Sequence, residues 1–144
     1  QPIDGVLPSQ LIKAKTNLSE RCHFLGRLEH QTLIPILRGA HASLISSLSE
    51  NLPNTGIEAV CNLIPIVATH ESNMGELISN GKNGFLYHAT DHLELLNCLN
   101  KIAQMDTDER SIMVSHQKEV MSRYTPSLYK DRITSFYQEA IKSS

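Results

Sequence analysis

GAHASLISSLSENLPNTGIEAVCNLIPIVAT, residues 39–69, sets two short apolar runs on either side of a turn-rich segment and an amphipathic stretch. Residues 42–46 (ASLIS) and 65–69 (PIVAT) are too short for helices and are bounded by turn formers, so both read as strands. Between them, Pro53 stands where the first turn of a helix tolerates it, which predicts a helix over 53–63. Ile57, Val60, Cys61 and Ile64 recur at i, i+3, i+4 and i+7, and that face is expected on the sheet. Asn51, Asn54, Thr55, Glu58 and Asn62 form the opposite stripe. A strand, a helix and a second strand in this order make a right-handed crossover between parallel strands.

The pattern extends in both directions. Further strands are predicted at 22–25 (CHFL) and 84–87 (GFLY), and helices at 8–18, 30–39, 73–80, 92–104, 107–122 and 126–142. The fold class is therefore α/β, a Rossmann-like parallel sheet flanked by helices, with no strand in the last 50 residues. A chain of 144 residues that is 40% hydrophobic and 19% charged fits one globular domain. Its formal charge of −2 gives no basic footprint, which argues against nucleic acid as a partner. No run reaches the length of a membrane span, and QPIDGVLPSQ lacks the basic and apolar regions of a signal peptide. The absence of an initiator Met points to a piece of a longer protein.

Cys22, Cys61 and Cys98 are widely spaced and odd in number, so they are expected as reduced thiols serving as small core residues. Seven histidines, His23, His30, His41, His70, His88, His92 and His116, show no HxH or HExxH spacing, and no metal site is expected. His70 alone carries a functional hypothesis, because it follows a strand at the edge where ligands bind; a solvent-facing loop histidine is the alternative. DTDE at 106–109 reads as a helix start whose carboxylates complement the dipole. Tyr129, Ile133, Phe136, Tyr137 and Ala140 recur at helical spacing and are expected to pack in a core.

Open α/β sheets bind ligands beyond the carboxyl ends of their strands, where the following helix presents unpaired amides and a partial positive charge. Pro53 has no amide, which leaves the N–H groups of Asn54, Thr55 and Gly56, with Gly56 leaving space for a phosphate. A diphosphate there would gain ~1–2 kcal/mol from the dipole and ~1.5–3 kcal/mol for each charge-assisted hydrogen bond. Glu58, one turn further on, can accept from a vicinal diol such as a ribose, and Glu50 faces whatever lies beyond the phosphates. By periodicity alone, a glutamate such as Glu58 is more often a solvated helix residue and one such as Glu50 an ordinary loop carboxylate.

FLGRL, GAHASLISSLSENLPNTGIEAVCNLIPIVAT and GELISNGKNGFLY, in that order and spacing, resemble the C-terminal half of the family 4 (group 1) glycosyltransferases of two-domain B-type fold. The likeness is close over residues 20–91 and looser in the C-terminal helices. It implies a donor-binding domain, residues 1–144, lacking its first strands and the N-terminal acceptor domain. Glu50 matches the catalytic-site glutamate near the donor sugar, and Glu58 the glutamate that binds the ribose. The amides of Asn54, Thr55 and Gly56 match the segment beside the diphosphate, and Gly26, Arg27 and Leu28 the loop lining the nucleobase pocket. The resemblance implies retaining transfer from a nucleoside-diphosphate sugar (UDP, GDP or ADP type) to a glycan or lipid, as in polysaccharide biosynthesis. It implies no required cofactor and no metal; the one D-x-D spacing, Asp106 and Asp108, lies in the DTDE stretch already read as a helix start. It also implies a cytoplasmic enzyme, with peripheral association at the cytosolic membrane face as an option.

Departures from the family pattern bear on catalysis. Asn51 stands where Gly often follows the first glutamate, and Asn tolerates unusual backbone angles. His70, Glu71, Ser72 and Asn73 replace an acidic residue and paired glycines before Glu76, which matches the family glutamate. GRLEHQ at 26–31 is not followed by Lys-Gly, so the basic clamp for the diphosphate is expected outside this chain. A fragment of this kind is expected to be inactive alone and to self-associate through an uncovered C-terminal apolar patch. The rival readings are a non-catalytic nucleotide-binding or scaffold domain, and an epimerase or phosphorylase of the same architecture.

Overall fold

The structure, a computed structural model, describes residues 21–142. The chain divides into two compact units between Leu33 and Ile34. In the first, the described residues before α1 (His30–Arg38) form no regular element, so the strand expected at 22–25 is not present. Phe24 and Leu25 are about half exposed. The helix expected at 8–18 lies outside the described residues.

The second unit holds a three-stranded, wholly parallel sheet in the order β1 (Ser43–Ile45), β2 (Ile66–Thr69), β3 (Phe85–Tyr87). Ser43 pairs with Ile66 and Val67 with Phe85, which fixes the register. The central strand is buried along its whole length, as a parallel strand covered on both faces must be. Alternation divides its side chains between two cores. Ile66 and Ala68 join Ile45, Leu86, Ala59, Val60 and Met74 on one face; Val67 joins Phe85, Tyr87, Cys98, Ile102 and Met113 on the other.

The first face is covered by α2 (Asn54–Cys61) and the segment after β2; the second by α3 (His92–Gln104). The helix α4 (Thr107–Ser122) reaches both cores, placing Met113 in one and Val120 and Met121 against the other. Its buried Gln117 donates to the carbonyls of Ile64 (2.8 Å) and Asn83 (3.2 Å), tying α4 to the chain ends that enter β2 and β3. Asn83 is itself 1% exposed and closes the turn before β3, accepting from Ser79 N–H (2.7 Å) and donating to Leu77 O (2.8 Å).

Sequence signals explain the helix ends. Asp106 caps α4 by accepting from Glu109 N–H at 2.8 Å, while the Glu109 carboxylate accepts from Asp106 N–H at 3.1 Å, so the DTDE stretch is a capping box. Asp91 caps α3 through Glu94 N–H at 2.8 Å. The C-terminus of α2 closes with Ile64 N–H on Ala59 O and Leu63 N–H on Val60 O, the Schellman pattern, with Leu63 at φ 60° where glycine is usual.

Three expectations require correction. The segment 73–80 is not an α-helix: Asn73 is left-handed (φ 53°) and caps a single 3-10 turn, Met74–Glu76, after which Ser79 N–H goes to Asn83 Oδ1 and Asn80 bridges Gly84, so the chain leaves the helical path. Of the three cysteines only Cys98 is a core residue; Cys61 is exposed and Cys22 half-buried, and all are free thiols. The buried stripe of α2 is Gly56, Ala59 and Val60, so Cys61 falls beyond its edge. Tyr129, Phe136 and Tyr137 of α5 (Pro126–Lys142) are each more than 60% exposed and Ile133 is 38% exposed, so that face is not packed in a core among the described residues.

Candidate functional site

The carboxyl ends of β1 and β2 open onto two loops that are fastened to each other. Thr69, the last residue of β2, is fully buried and donates its hydroxyl to Ser47 O in the loop after β1. Four residues later, Asn73 donates from Nδ2 to Glu50 O at 2.8 Å. Ser72, also fully buried, donates to Thr69 O at 2.7 Å and folds the intervening turn back on the strand. The backbone that carries Glu50 is thus held by the segment HESN. The left-handed angle of Asn73 is one that glycine adopts freely and asparagine tolerates, so this departure from paired glycines preserves the turn.

Beyond Glu50, positive φ falls at Leu52 (87°) rather than at Asn51. Leu52 is anchored by packing its side chain against the first core, and Pro53 behind it is buried, which holds a conformation unfavourable for a branched residue. Pro53 serves as N-cap with extended angles and no side-chain capping bond, and the first turn of α2 contains no acidic residue. The amides of Asn54 and Thr55 at this end take part in no hydrogen bond among the described residues, and both residues are exposed.

Gly56 differs from expectation. Its N–H donates to Pro53 O at 2.9 Å and is not open to a ligand. It is buried, and a Cβ at this position would lie 2.4 Å from Met74 Sδ. The missing side chain lets α2 close on the 3-10 turn after β2, so the space at Gly56 is filled by Met74 rather than left for a phosphate. Glu50 is exposed at the site; Glu58 is half-buried on α2. The Glu58 carbonyl receives both N–H and Nδ2 of Asn62, the latter at 2.8 Å, and Asn62 Oδ1 accepts from Arg38 Nε at 3.1 Å.

A second group lies where β2 and β3 end. The His70 and His88 rings are 4.6 Å apart between centroids. The Glu94 carboxylate accepts from His88 N–H at 2.7 Å and lies 3.1 Å from His88 Nδ1, and these contacts hold the Glu94 carboxyl below the usual carboxylate range. Glu71 accepts from Ala89 N–H at 3.3 Å. Its charge and, more strongly, burial push the Tyr87 hydroxyl up. No group of three or more His, Cys, Asp or Glu with metal-holding geometry occurs among the described residues.

Sequence reasoning did not find the Thr69 and Asn73 bonds or the pairing of His88 with Glu94. The D-H-L-E run at 91–94 does carry the signature of a helix start, and it locates Glu94 in the first turn of α3. In the first unit, Gly26 is left-handed (φ 68°), Arg27 is exposed and Leu28 half-buried. Gly26 and Leu28 line an apolar recess with Phe24, Leu25 and Leu33.

The family model described as "Glycosyl transferases group 1" matches residues 6–120. Over 87 residues the chain is 32% identical to the Escherichia coli (strain K12) protein named "Putative colanic acid biosynthesis glycosyltransferase WcaL", covering 60% of this chain and 20% of that protein. Its fold is similar to that of sucrose-phosphate synthase from Thermosynechococcus elongatus, with a TM-score of 0.79 and 20% identity over 94% of this chain and 34% of that one. Anabaena HepE, solved in complex with UDP-glucose, is similar at a TM-score of 0.74 and 21% identity, over 94% of this chain and 39% of that one. The chain thus spans about a fifth of its curated relative and little more than a third of either solved protein. With four-fifths of its residues matched by the family model, the chain belongs to the group 1 glycosyltransferases, and its α/β unit has the architecture of their B-type fold.

Proposed function

We propose that the chain is the donor-binding part of a retaining glycosyltransferase that takes a sugar from a nucleoside diphosphate. The observation that carries this reading is the open N-terminus of α2 at the carboxyl edge of the sheet, with unengaged amides at Asn54 and Thr55. Unpaired amides and the helix dipole favour an anion there. HepE was solved with UDP-glucose, which supports a nucleotide sugar as the class of ligand.

In this reading Asn54 and Thr55 receive the diphosphate and Glu58 the ribose hydroxyls. Gly26, Arg27 and Leu28 meet the base, and Glu50 lies beside the sugar, on backbone fixed by Asn73. Gly56 contributes by the close packing of α2 on Met74, which sets where the two amides stand. Catalysis comes from stabilising the departing diphosphate, with the helix terminus and basic residues in the role other enzymes give to a metal. No cofactor is required. The acceptor is a glycan or lipid bound by an N-terminal domain, in polysaccharide biosynthesis, and the enzyme works in the cytoplasm or at the cytosolic face of the membrane.

Incubating the full-length enzyme with radiolabelled UDP-glucose and a lipid or glycan acceptor extract tests this reading. Label transferred to the acceptor, lost on Glu50→Ala, is expected. Label recovered as epimerised sugar or sugar phosphate, or transfer unaffected by Glu50→Ala, would contradict it.

A further inference from the structure

At the opposite edge of the sheet a cavity of about 530 Å³ has no place in the donor site described above. It lies where the chain enters β3, since Gly81 and Lys82 line it from the preceding turn and Phe85, the first residue of that strand, from within. The last turn of α3 supplies Lys101, and α4 supplies Glu109 from its first turn and His116 from just past its middle. A helix that follows β3 and packs back along it ends at the amino edge of the sheet, which places this cavity away from the loops carrying Glu50 and Asn73.

The wall is chemically uneven. Phe85, Met105 and Ile112 give an apolar floor, with Lys101 Nζ 5.5 Å from the Phe85 ring centroid. Lys82 and Lys101 form no ion pair among the described residues. His116 adds an Nδ1 atom that is shielded from solvent and has no hydrogen-bond partner among the described residues. Glu109 is the one carboxylate among the lining residues, and its Oε2 already accepts from Asp106 N–H at 3.1 Å. A smaller recess of about 190 Å³ shares Lys82 and His116; the Arg123 guanidinium on its wall is committed to Glu119 at 2.6 Å. Two ammonium groups with no ion pair among the described residues, beside an apolar floor, match a compact dianion attached to a carbon skeleton.

We propose that this cavity binds a small phosphorylated metabolite, with its phosphate held by Lys82 and Lys101 and its carbon skeleton laid on Met105 and Ile112. The site is distinct from the donor site, and the proposal does not rest on the donor reading. Its occupancy would bear on α4, which lines the cavity with Met113 and His116 and holds the entries to β2 and β3 through Gln117.

Amide NMR of the whole chain, titrated with glucose 6-phosphate at constant ionic strength, tests the proposal, with glucose and inorganic phosphate as separate arms. The expected result is saturable shifts at Gly81, Lys101 and His116, with half-saturation at low millimolar concentration, on the order of 1–5 mM. Thr55 and Glu58 should not move with them. Glucose should give no shift and inorganic phosphate a weaker one, since it lacks the skeleton. The double variant Lys82→Gln, Lys101→Gln should weaken binding at least about tenfold, while Lys101→Arg retains it. Shifts that grow linearly without saturation, that are unchanged in the double variant, or that fall at Thr55 and Glu58 instead would overturn the proposal.

Discussion

At the scale of single residues, Gly56 shows how one amino acid serves packing where sequence pattern pointed to a ligand. A glycine at the start of a helix beside a proposed phosphate site is readily taken for a point of close approach. The sequence does not say which way the absent side chain would have pointed, and here it would have met Met74 Sδ at 2.4 Å. The atoms met are the far end of a flexible side chain, so Met74 can turn aside, at the cost of its place in the core. Gly56→Ala is expected to destabilise the chain by no more than about 1 kcal/mol, the displacement of Met74 being partly offset by the higher helix propensity of alanine. Combined with Met74→Ala, the loss should be smaller than the sum of the two single losses, a non-additivity readable by urea denaturation. Strict additivity would show that the alanine finds space elsewhere. Asn73 is the complementary case. Its departure from glycine looked adverse in sequence, yet its side chain supplies the bond to Glu50 O that glycine could not make.

At the scale of elements, what was legible followed from local chemistry. The strands at 43–45, 66–69 and 85–87 lie inside the predicted runs, and the helices at 92–104, 107–122 and 126–142 begin and end as expected, two of them on aspartate caps. The segment 73–80 has helical composition, but after one 3-10 turn its backbone is taken by the Asn83 side chain and the bridge to Gly84, contacts that propensity does not show. The junction of β3 and α3 is set by the Glu94 carboxylate on the His88 N–H and ring. Because those hydrogen bonds favour the charged form, folding depresses the Glu94 pKa. Its contribution to stability is therefore present above the ordinary glutamate pKa and is lost as pH falls through the folded value. Glu94→Gln should flatten the dependence of unfolding free energy on pH between about pH 5 and 3 while leaving the neutral slope unchanged. An equal slope in both proteins would show that the contact does not persist in solution.

At the scale of the whole molecule, the parallel sheet was legible because its central strand is apolar from Ile66 to Ala68 and the intervening helix carries one apolar face. The C-terminal helix was not. Its aromatic residues repeat as core residues do, but Tyr129, Phe136 and Tyr137 stay exposed, and a repeat shows that a face is apolar without showing what it meets. The same limit applies to the site. Glu50 and Glu58 could be located by spacing, whereas the bonds that fix the Glu50 backbone join residues 22 and 23 positions apart and leave no local trace.

The central claim is that this chain holds the donor nucleotide, and titrating it with UDP, GDP and ADP while following amide NMR shifts tests that most directly, with Glu58→Ala as control. One nucleotide is expected to bind weakly, with a Kd of roughly 0.1–5 mM, equivalent to about 4–6 kcal/mol. It should move Gly26, Thr55 and Glu58 together, and the response should be lost in the variant. Absence of any shift with all three nucleotides, or shifts that Glu58→Ala leaves untouched, would contradict the account.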